Sequence, residues 1–404
     1  MSLNPLVAET GNRGAVALSA HTTDAAIAKA ALPRIDELDG LRGILAMWVV
    51  LVHVIGWCGL SLEIFNPPVS VERLWVEAVQ GAVDAFIILS GFVISYLLHA
   101  RPQTYRQFMI GRFFRIYPVY FVCLLFGWCM IGPVSYLLDH VAWRDTNYFQ
   151  WWIVPAATAQ AAHPIAHLLA HLTLLFGMIP DRILPGAPVT LLGPAWSITL
   201  EWQYYLVAPL LARWVCSRSG LLLVGLVCSC DFMFVHFWST SFLPIKLPLF
   251  LVGIGSFHLY SKAPGWRLNP RLVATSVAIT LAAVIIISWH WIPLGLWTLV
   301  LGCLLLEPVE NGDAGERGLN RLRRLLMHTV LQWLGKISYP IYLVHWPLLI
   351  LLLLGIVRVR PETTSLAAFG ILLAIGVPVI LLTAWLIHKW IESPLMRFGK
   401  RFTR

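Results

Sequence analysis

Membrane-length apolar runs, separated by short polar stretches that hold most of the charge, recur along the chain from about residue 40 onward. About 20 consecutive apolar residues are needed for a helix to cross a hydrocarbon core of ~30 Å, so each run predicts a transmembrane helix. Ten spans are expected, near 41–60, 78–98, 113–133, 196–215, 219–238, 246–261, 272–289, 291–306, 335–355 and 366–388. Only Trp289-His290-Trp291-Ile292-Pro293 separates the seventh from the eighth. The segment 164–178 is apolar but short and His-bearing, which predicts an interfacial or re-entrant piece. Residues 1–34 are rich in Ala, Thr, Gly and Asn and predict a flexible cytoplasmic tail without a cleavable leader, and 398–404 a short basic tail. The fold class is an all-α integral membrane protein.

Composition and charge sharpen this picture. Of 404 residues, 58% are hydrophobic and 12% charged, where a soluble domain carries about 25% charged residues. The net charge of +9 does not point to nucleic acid, because the basic residues lie between apolar runs, where they set orientation. With the N-terminus in the cytoplasm, only six of the 29 Lys and Arg fall outside: Arg73, Arg144, Arg182, Lys246, Arg358 and Arg360. That bias predicts an even number of spans and both termini cytoplasmic. The longest loop, roughly 134–195, is then external and has neither a strand pattern nor a domain-sized core. Chemistry is therefore expected within the bundle. The seven Cys lie in or beside apolar runs without zinc-site spacing and read as buried thiols.

The first run carries two ionisable groups, Arg42 and His53, eleven residues apart. Eleven helical steps come to roughly three turns plus 20°, which puts both on one face, roughly 16 Å apart along the axis. A guanidinium near one surface and an imidazole at mid-depth imply a polar cavity entering the membrane. Leu38-Asp39-Gly40-Leu41-Arg42-Gly43 with His53 also resembles the Arg-x10-His signature of the acyltransferase 3 family of bacterial integral-membrane acyltransferases. Four further blocks follow in the family's order. Gly81-Ala82-Val83-Asp84-Ala85-Phe86 precedes Leu89-Ser90-Gly91-Phe92; Phe108, Arg112, Arg115, Ile116, Pro118 and Tyr120 open the third span. Trp196-Ser197 leads to Glu201-Trp202-Gln203 and Tyr205; Leu334-Gly335-Lys336-Ile337-Ser338-Tyr339 leads to Tyr342-Leu343-Val344-His345-Trp346-Pro347, and Glu392 and Pro394 close the pattern. Lys336 stands where Arg is more common and Ala85 replaces an apolar residue. The resemblance covers about 35–397, in the form without an added esterase-like domain.

The resemblance implies an enzyme that moves an acyl group, acetyl foremost, from cytoplasmic acyl-CoA to a hydroxyl on the far side. The acceptor would be a surface glycan or its lipid-linked precursor, and the location the bacterial cytoplasmic membrane. Expected partners are acyl-CoA, that acceptor and membrane lipids, with no nucleic acid and no metal. Arg42 is assigned to a CoA phosphate or the cavity mouth, and His53 to the chemistry, as general base or as an acylated intermediate. The plainer alternatives are a membrane-edge Arg and a His satisfied between helices. Arg112 and Arg115, three apart on one face, suit bidentate phosphate contacts or act as ordinary positive-inside anchors.

Asp84 and Glu201 enter from outside to about the depth of His53. One would fix its tautomer as the acid of a hydrolase triad does, or donate to a carbonyl oxygen when protonated. Glu201 is favoured; Ser197 lies one turn from it. Trp196, Ser197, Tyr342 and His345 are candidates for acceptor binding. His163, His167 and His171 recur every four residues, but no carboxylate at set spacing completes a metal site. There is no Gly-x-Ser-x-Gly elbow, Walker loop or dinucleotide fingerprint. The rival is a proton-coupled secondary transporter relaying through His53, Asp84 and Glu201; the two similar halves such proteins often show are not visible here.

Overall fold

The computed structural model describes residues 35–60, 71–214, 217–262, 292–305 and 314–403. The expected tail 1–34 and the expected span 272–289 lie outside these residues. The described residues are helical, with no strand among them. Six described helices are long and apolar enough to cross a membrane, which makes the chain a multi-pass membrane protein.

Helix α1 (Asp36–Trp57) starts earlier than the apolar run because Asp36, Glu37 and Asp39 occupy its first turn, where carboxylates offset the helix dipole. Helix α2 is Val71–Ala100 and α3 is Tyr105–Cys129. A reciprocal capping box between Thr104 and Gln107 fixes the start of α3. After α4 (Ile131–His140), α5 (Val154–Ala162) and α6 (Pro164–Leu172) come α7 (Trp196–Trp214), α8 (Arg218–Ser229) and α9 (Leu243–Lys262). Then follow α10 (Ile292–Leu305), α11 (Ala314–Leu326), α12 (Thr329–Lys336) and α13 (Ser338–Val359). A continuous helical run, α14 (Ser365–Phe402), ends the chain.

Two expectations, the span at 219–238 and the buried cysteines, need revision, and the short basic tail gains a packing contact. The span expected at 219–238 is not one helix: α8 has 12 residues, roughly 18 Å by helical rise, and breaks at Cys230 before a single turn, Asp231–Phe234. The Ser229 hydroxyl donates back to Gly225 O at 2.8 Å, a local bond that competes with helix continuation. The C-terminal segment is docked: α14 holds 38 residues, and Phe398 and Phe402 pack on Phe114 at 5.7 and 6.3 Å between ring centres. Of six described cysteines only Cys58, Cys123 and Cys303 are buried, while Cys129 is exposed.

The long loop is a helical cap. It buries Leu137, Trp143, Phe149, Ile153, Phe176 and Leu191 in the common core. Tyr117 and Tyr120 of α3 donate to the carbonyls of Leu172 and His171 at 3.1 and 2.9 Å, which pins the end of α6 to the bundle. His167 and His171 are fully buried there. The His167 ring contacts Thr190 Oγ1 at 3.0 Å and Ala159 O at 3.2 Å, and His171 Nδ1 donates to His167 O at 2.9 Å. These histidines hold the cap together.

Within the bundle, α2 and α9 meet backbone to backbone. A Cβ at Gly91 would stand 2.3 Å from Phe250 O, and one at Gly253 2.1 Å from Ile88 O. Small residues permit this approach where apolar lipid offers no hydrophobic drive for association. Next to it, Lys246 of α9 donates to both carboxylate oxygens of Asp84 of α2, at 2.8 and 3.1 Å.

Candidate active site

Among the described residues, two cavities have walls that differ in chemistry. The narrower, about 140 Å3, is lined by Arg42 of α1, Ser90 of α2, Arg112 and Arg115 of α3, Glu201 and Tyr205 of α7, and Tyr339 and Tyr342 of α13. The wider, about 720 Å3, is lined by His53 and Trp57 of α1, Gln80 of α2, Trp152, Gln160 and Trp196, Ser241, and Trp346 of α13. The shared face of Arg42 and His53 thus opens onto two chambers, one at each residue.

The Arg42 chamber is a charge network. Arg42 donates to Asp39 at 2.7 Å, and Arg115 to the fully buried Glu392 of α14. The other oxygen of Glu392 meets His388 Nδ1 at 2.6 Å, across a π-helical turn, His388–Glu392, that puts both side chains on one face. Arg112 has no carboxylate partner among the described residues. Its guanidinium lies against the rings of Phe108 and Tyr205 at 5.9 and 5.7 Å, and its Nε is buried without a hydrogen bond. A buried, unpaired donor of this kind is costly unless an acceptor comes to it. Glu201 accepts from Ser90 Oγ at 3.1 Å and from the Tyr205 hydroxyl.

The two chambers meet at a hydrogen-bonded partition. The Tyr342 hydroxyl donates to Pro194 O at 2.9 Å and lies 2.7 Å from Ser197 Oγ. Ser197 and Tyr342 line the Arg42 chamber; Pro194 and Trp196 line the His53 chamber. Ring contacts of Tyr342 with Phe86 at 6.1 Å and with His345 at 6.2 Å thicken the wall.

On the far side of the wall, His53 Nδ1 lies 2.9 Å from Val49 O and 3.2 Å from His345 Nε2. The Trp346 ring stands perpendicular to His53 at 5.3 Å. Neither carboxylate picked from the sequence is bonded to this ring. Glu201 serves Ser90 and Tyr205 in the other chamber, and Asp84, held by Lys246 and by Gln80 at 2.9 Å, lines neither cavity. The structure therefore gathers Arg42, Arg112, Arg115, Glu201, Ser197 and Tyr342 in one chamber and His53 and Trp196 in the next.

Sequence reasoning gave no role to Tyr205, Glu392 or Lys246. Tyr205 follows Glu201 by four residues, a helical pairing legible in principle. No local spacing joins residues 115 and 392, or 84 and 246.

The chain is thus a many-helix membrane protein in which a chamber lined by three arginines abuts one that holds His53. The family model described as an acyltransferase domain, Acyl_transf_3, matches residues 35–385, and the chain belongs to this acyltransferase 3 family. It is similar to acyltransferase MdmB of Streptomyces mycarofaciens, 23% identical over 407 residues, covering 91% of this chain and 93% of that protein. It is also similar to the putative membrane-bound transacylase BcsY of Komagataeibacter xylinus, 24% identical over 326 residues, covering 77% of this chain and 72% of that protein. No solved structure matches.

Proposed function

We propose that this acyltransferase moves an acyl group, acetyl foremost, from cytoplasmic acyl-CoA entering the Arg42 chamber to a hydroxyl of an acceptor held in the His53 chamber. The observation that carries this reading is the abutment of the two chambers. One presents an unpaired guanidinium to an anionic donor, and the other presents an imidazole to a neutral hydroxylated molecule. CoA phosphates remain at the mouth near Arg112, with Arg42 and Arg115 held in shape by Asp39 and Glu392. The acyl-bearing arm threads past Tyr342, whose hydroxyl contacts rearrange to let the thioester reach His53.

The imidazole of His53 takes the acceptor's hydroxyl proton through Nε2. The oxygen attacks the thioester carbonyl, the C–S bond breaks, and the departing thiolate recovers the proton. Ester and CoA thiol are the products. The wider chamber falls within the usual range of small-molecule sites, roughly 300–1,000 Å3. Its indole rings and amide side chains suit a sugar unit of a glycan or its lipid-linked precursor, at the external side of the cytoplasmic membrane. A proton relay is less well supported: among the described residues no carboxylate is hydrogen-bonded to His53, and Asp84 is neutralised by Lys246.

The test uses sealed vesicles with labelled acetyl-CoA supplied on one side. CoA-thiol release in wild-type protein that disappears in folded His53→Ala supports transfer through His53. Folded wild-type protein that neither binds acetyl-CoA nor releases thiol overturns the acetyl-CoA reading.

A further inference from the structure

His345 was expected to touch the acceptor, but it lines neither chamber and is fully buried behind His53. Anything it does to a substrate must act through its neighbour. Its bonding fixes what that is. A carbonyl oxygen only accepts, so the 3.0 Å contact between His345 Nδ1 and Ile341 O places a proton on Nδ1. A neutral ring has one N–H, so His345 Nε2 carries a lone pair, and this lone pair lies 3.2 Å from His53 Nδ1. By the same rule the 2.9 Å contact with Val49 O puts the His53 proton on Nδ1. Val49 and His345 share that proton. The remaining nitrogen, His53 Nε2, is unprotonated; it has no hydrogen bond among the described residues, on a side chain that lines the wider chamber.

We propose that His345 is a positioning residue: its Nε2 accepts from His53 Nδ1–H, holds the ring in that tautomer, and directs the Nε2 lone pair of His53 toward the acceptor chamber. This role rests on His53 acting as the base proposed above. When Nε2 takes a proton the ring becomes an imidazolium, and its Nδ1–H then has two acceptors. A neutral imidazole does here what a carboxylate does in a hydrolase triad, without a second buried charge to desolvate. Packing alone would need no ring nitrogen at this position.

The test compares wild type, His345→Leu and His345→Gln in the full chain, reconstituted in nanodiscs with 15N-labelled histidine; His53→Gln assigns the signals of His53. Leucine removes the acceptor, whereas the glutamine amide oxygen reaches the place of Nε2. In wild type the His53 proton is expected on Nδ1. In His345→Leu that tautomer is expected to lose its dominance, and CoA-thiol release to fall about 100-fold or more, the scale of general-base assistance, with acetyl-CoA binding unchanged. His345→Gln is expected to restore the tautomer and to bring the rate within about tenfold of wild type.

A wild-type His53 protonated on Nε2 overturns the proposal. So does His345→Leu with unaltered tautomer and rate, or His345→Gln no better than His345→Leu. If His345→Leu does not fold, His345→Gln against wild type decides by the same two readouts. Wild type that never releases CoA thiol from acetyl-CoA sinks the donor assignment instead, and the tautomer comparison still decides the role of His345.

Discussion

Arg112 is set apart from the other two arginines of its chamber by what it lacks. Arg42 and Arg115 are each matched by a carboxylate, whereas Arg112 presents a guanidinium held only by aromatic faces. Arg112→Ala is expected to weaken acetyl-CoA binding by about 10- to 100-fold, the scale of one or two charge-assisted hydrogen bonds. Arg112→Lys should recover part of this, because an ammonium keeps the charge but not the planar fork. Titration calorimetry in detergent reads both. In the cap, burial pushes the His171 imidazole down to about 4, so the folded protein keeps it neutral. A lowered histidine favours folding fully above its ordinary value near 6.5 and progressively less as pH falls from there toward 4. The loss comes to about 3 kcal/mol for a group so completely enclosed. Thermal melts between pH 7.5 and 4.5 should show an acid-labile cap, and His171→Gln should flatten that dependence.

At the scale of helices, the Asp84–Lys246 pair is a clasp between α2 and α9 beside the Gly91–Gly253 contact. Removing one partner leaves a buried charge alone. Asp84→Asn or Lys246→Met is therefore expected to cost about 3–5 kcal/mol, and the double replacement much less than their sum. A double-mutant cycle of unfolding in mixed micelles measures this; an additive cycle would make the pair incidental.

The same pair shows where sequence reasoning stops. Facing along a single helix is what a sequence can carry: the eleven-residue interval predicts one face and one cavity for Arg42 and His53, and in the structure Arg42 lines the narrower chamber and His53 the wider. The three-residue step likewise predicts one face for Arg112 and Arg115, and both line the narrower chamber. Partnerships between helices were not legible, because hydropathy carries no information about which helices are neighbours. Asp84 was therefore matched to His53 by depth alone, while its salt bridge lies 162 positions along the chain. Span count suffered for a related reason. A run such as 219–238 scores as one helix by composition, although Ser229 and Cys230 end it halfway.

At the scale of the whole molecule, the hydroxyl of Tyr342 on Pro194 O and beside Ser197 Oγ stands, among the described residues, between the Arg42 chamber and the His53 chamber. Tyr342→Ala, with the wall removed and the chambers merged, is expected to make sealed vesicles leak protons, read as faster collapse of an imposed pH gradient with an entrapped dye. Tyr342→Phe keeps the ring and should leak far less, so equal leakage from the two would assign the seal elsewhere. The consequence reaches beyond the reaction. If the protein lies in the cytoplasmic membrane as proposed, a conduit wide enough for a pantetheine arm, left open, would short-circuit the electrochemical gradient across it. On the proposed path, a wall closed at rest and plugged by the arm itself when it opens would keep the membrane an electrical insulator through every turnover.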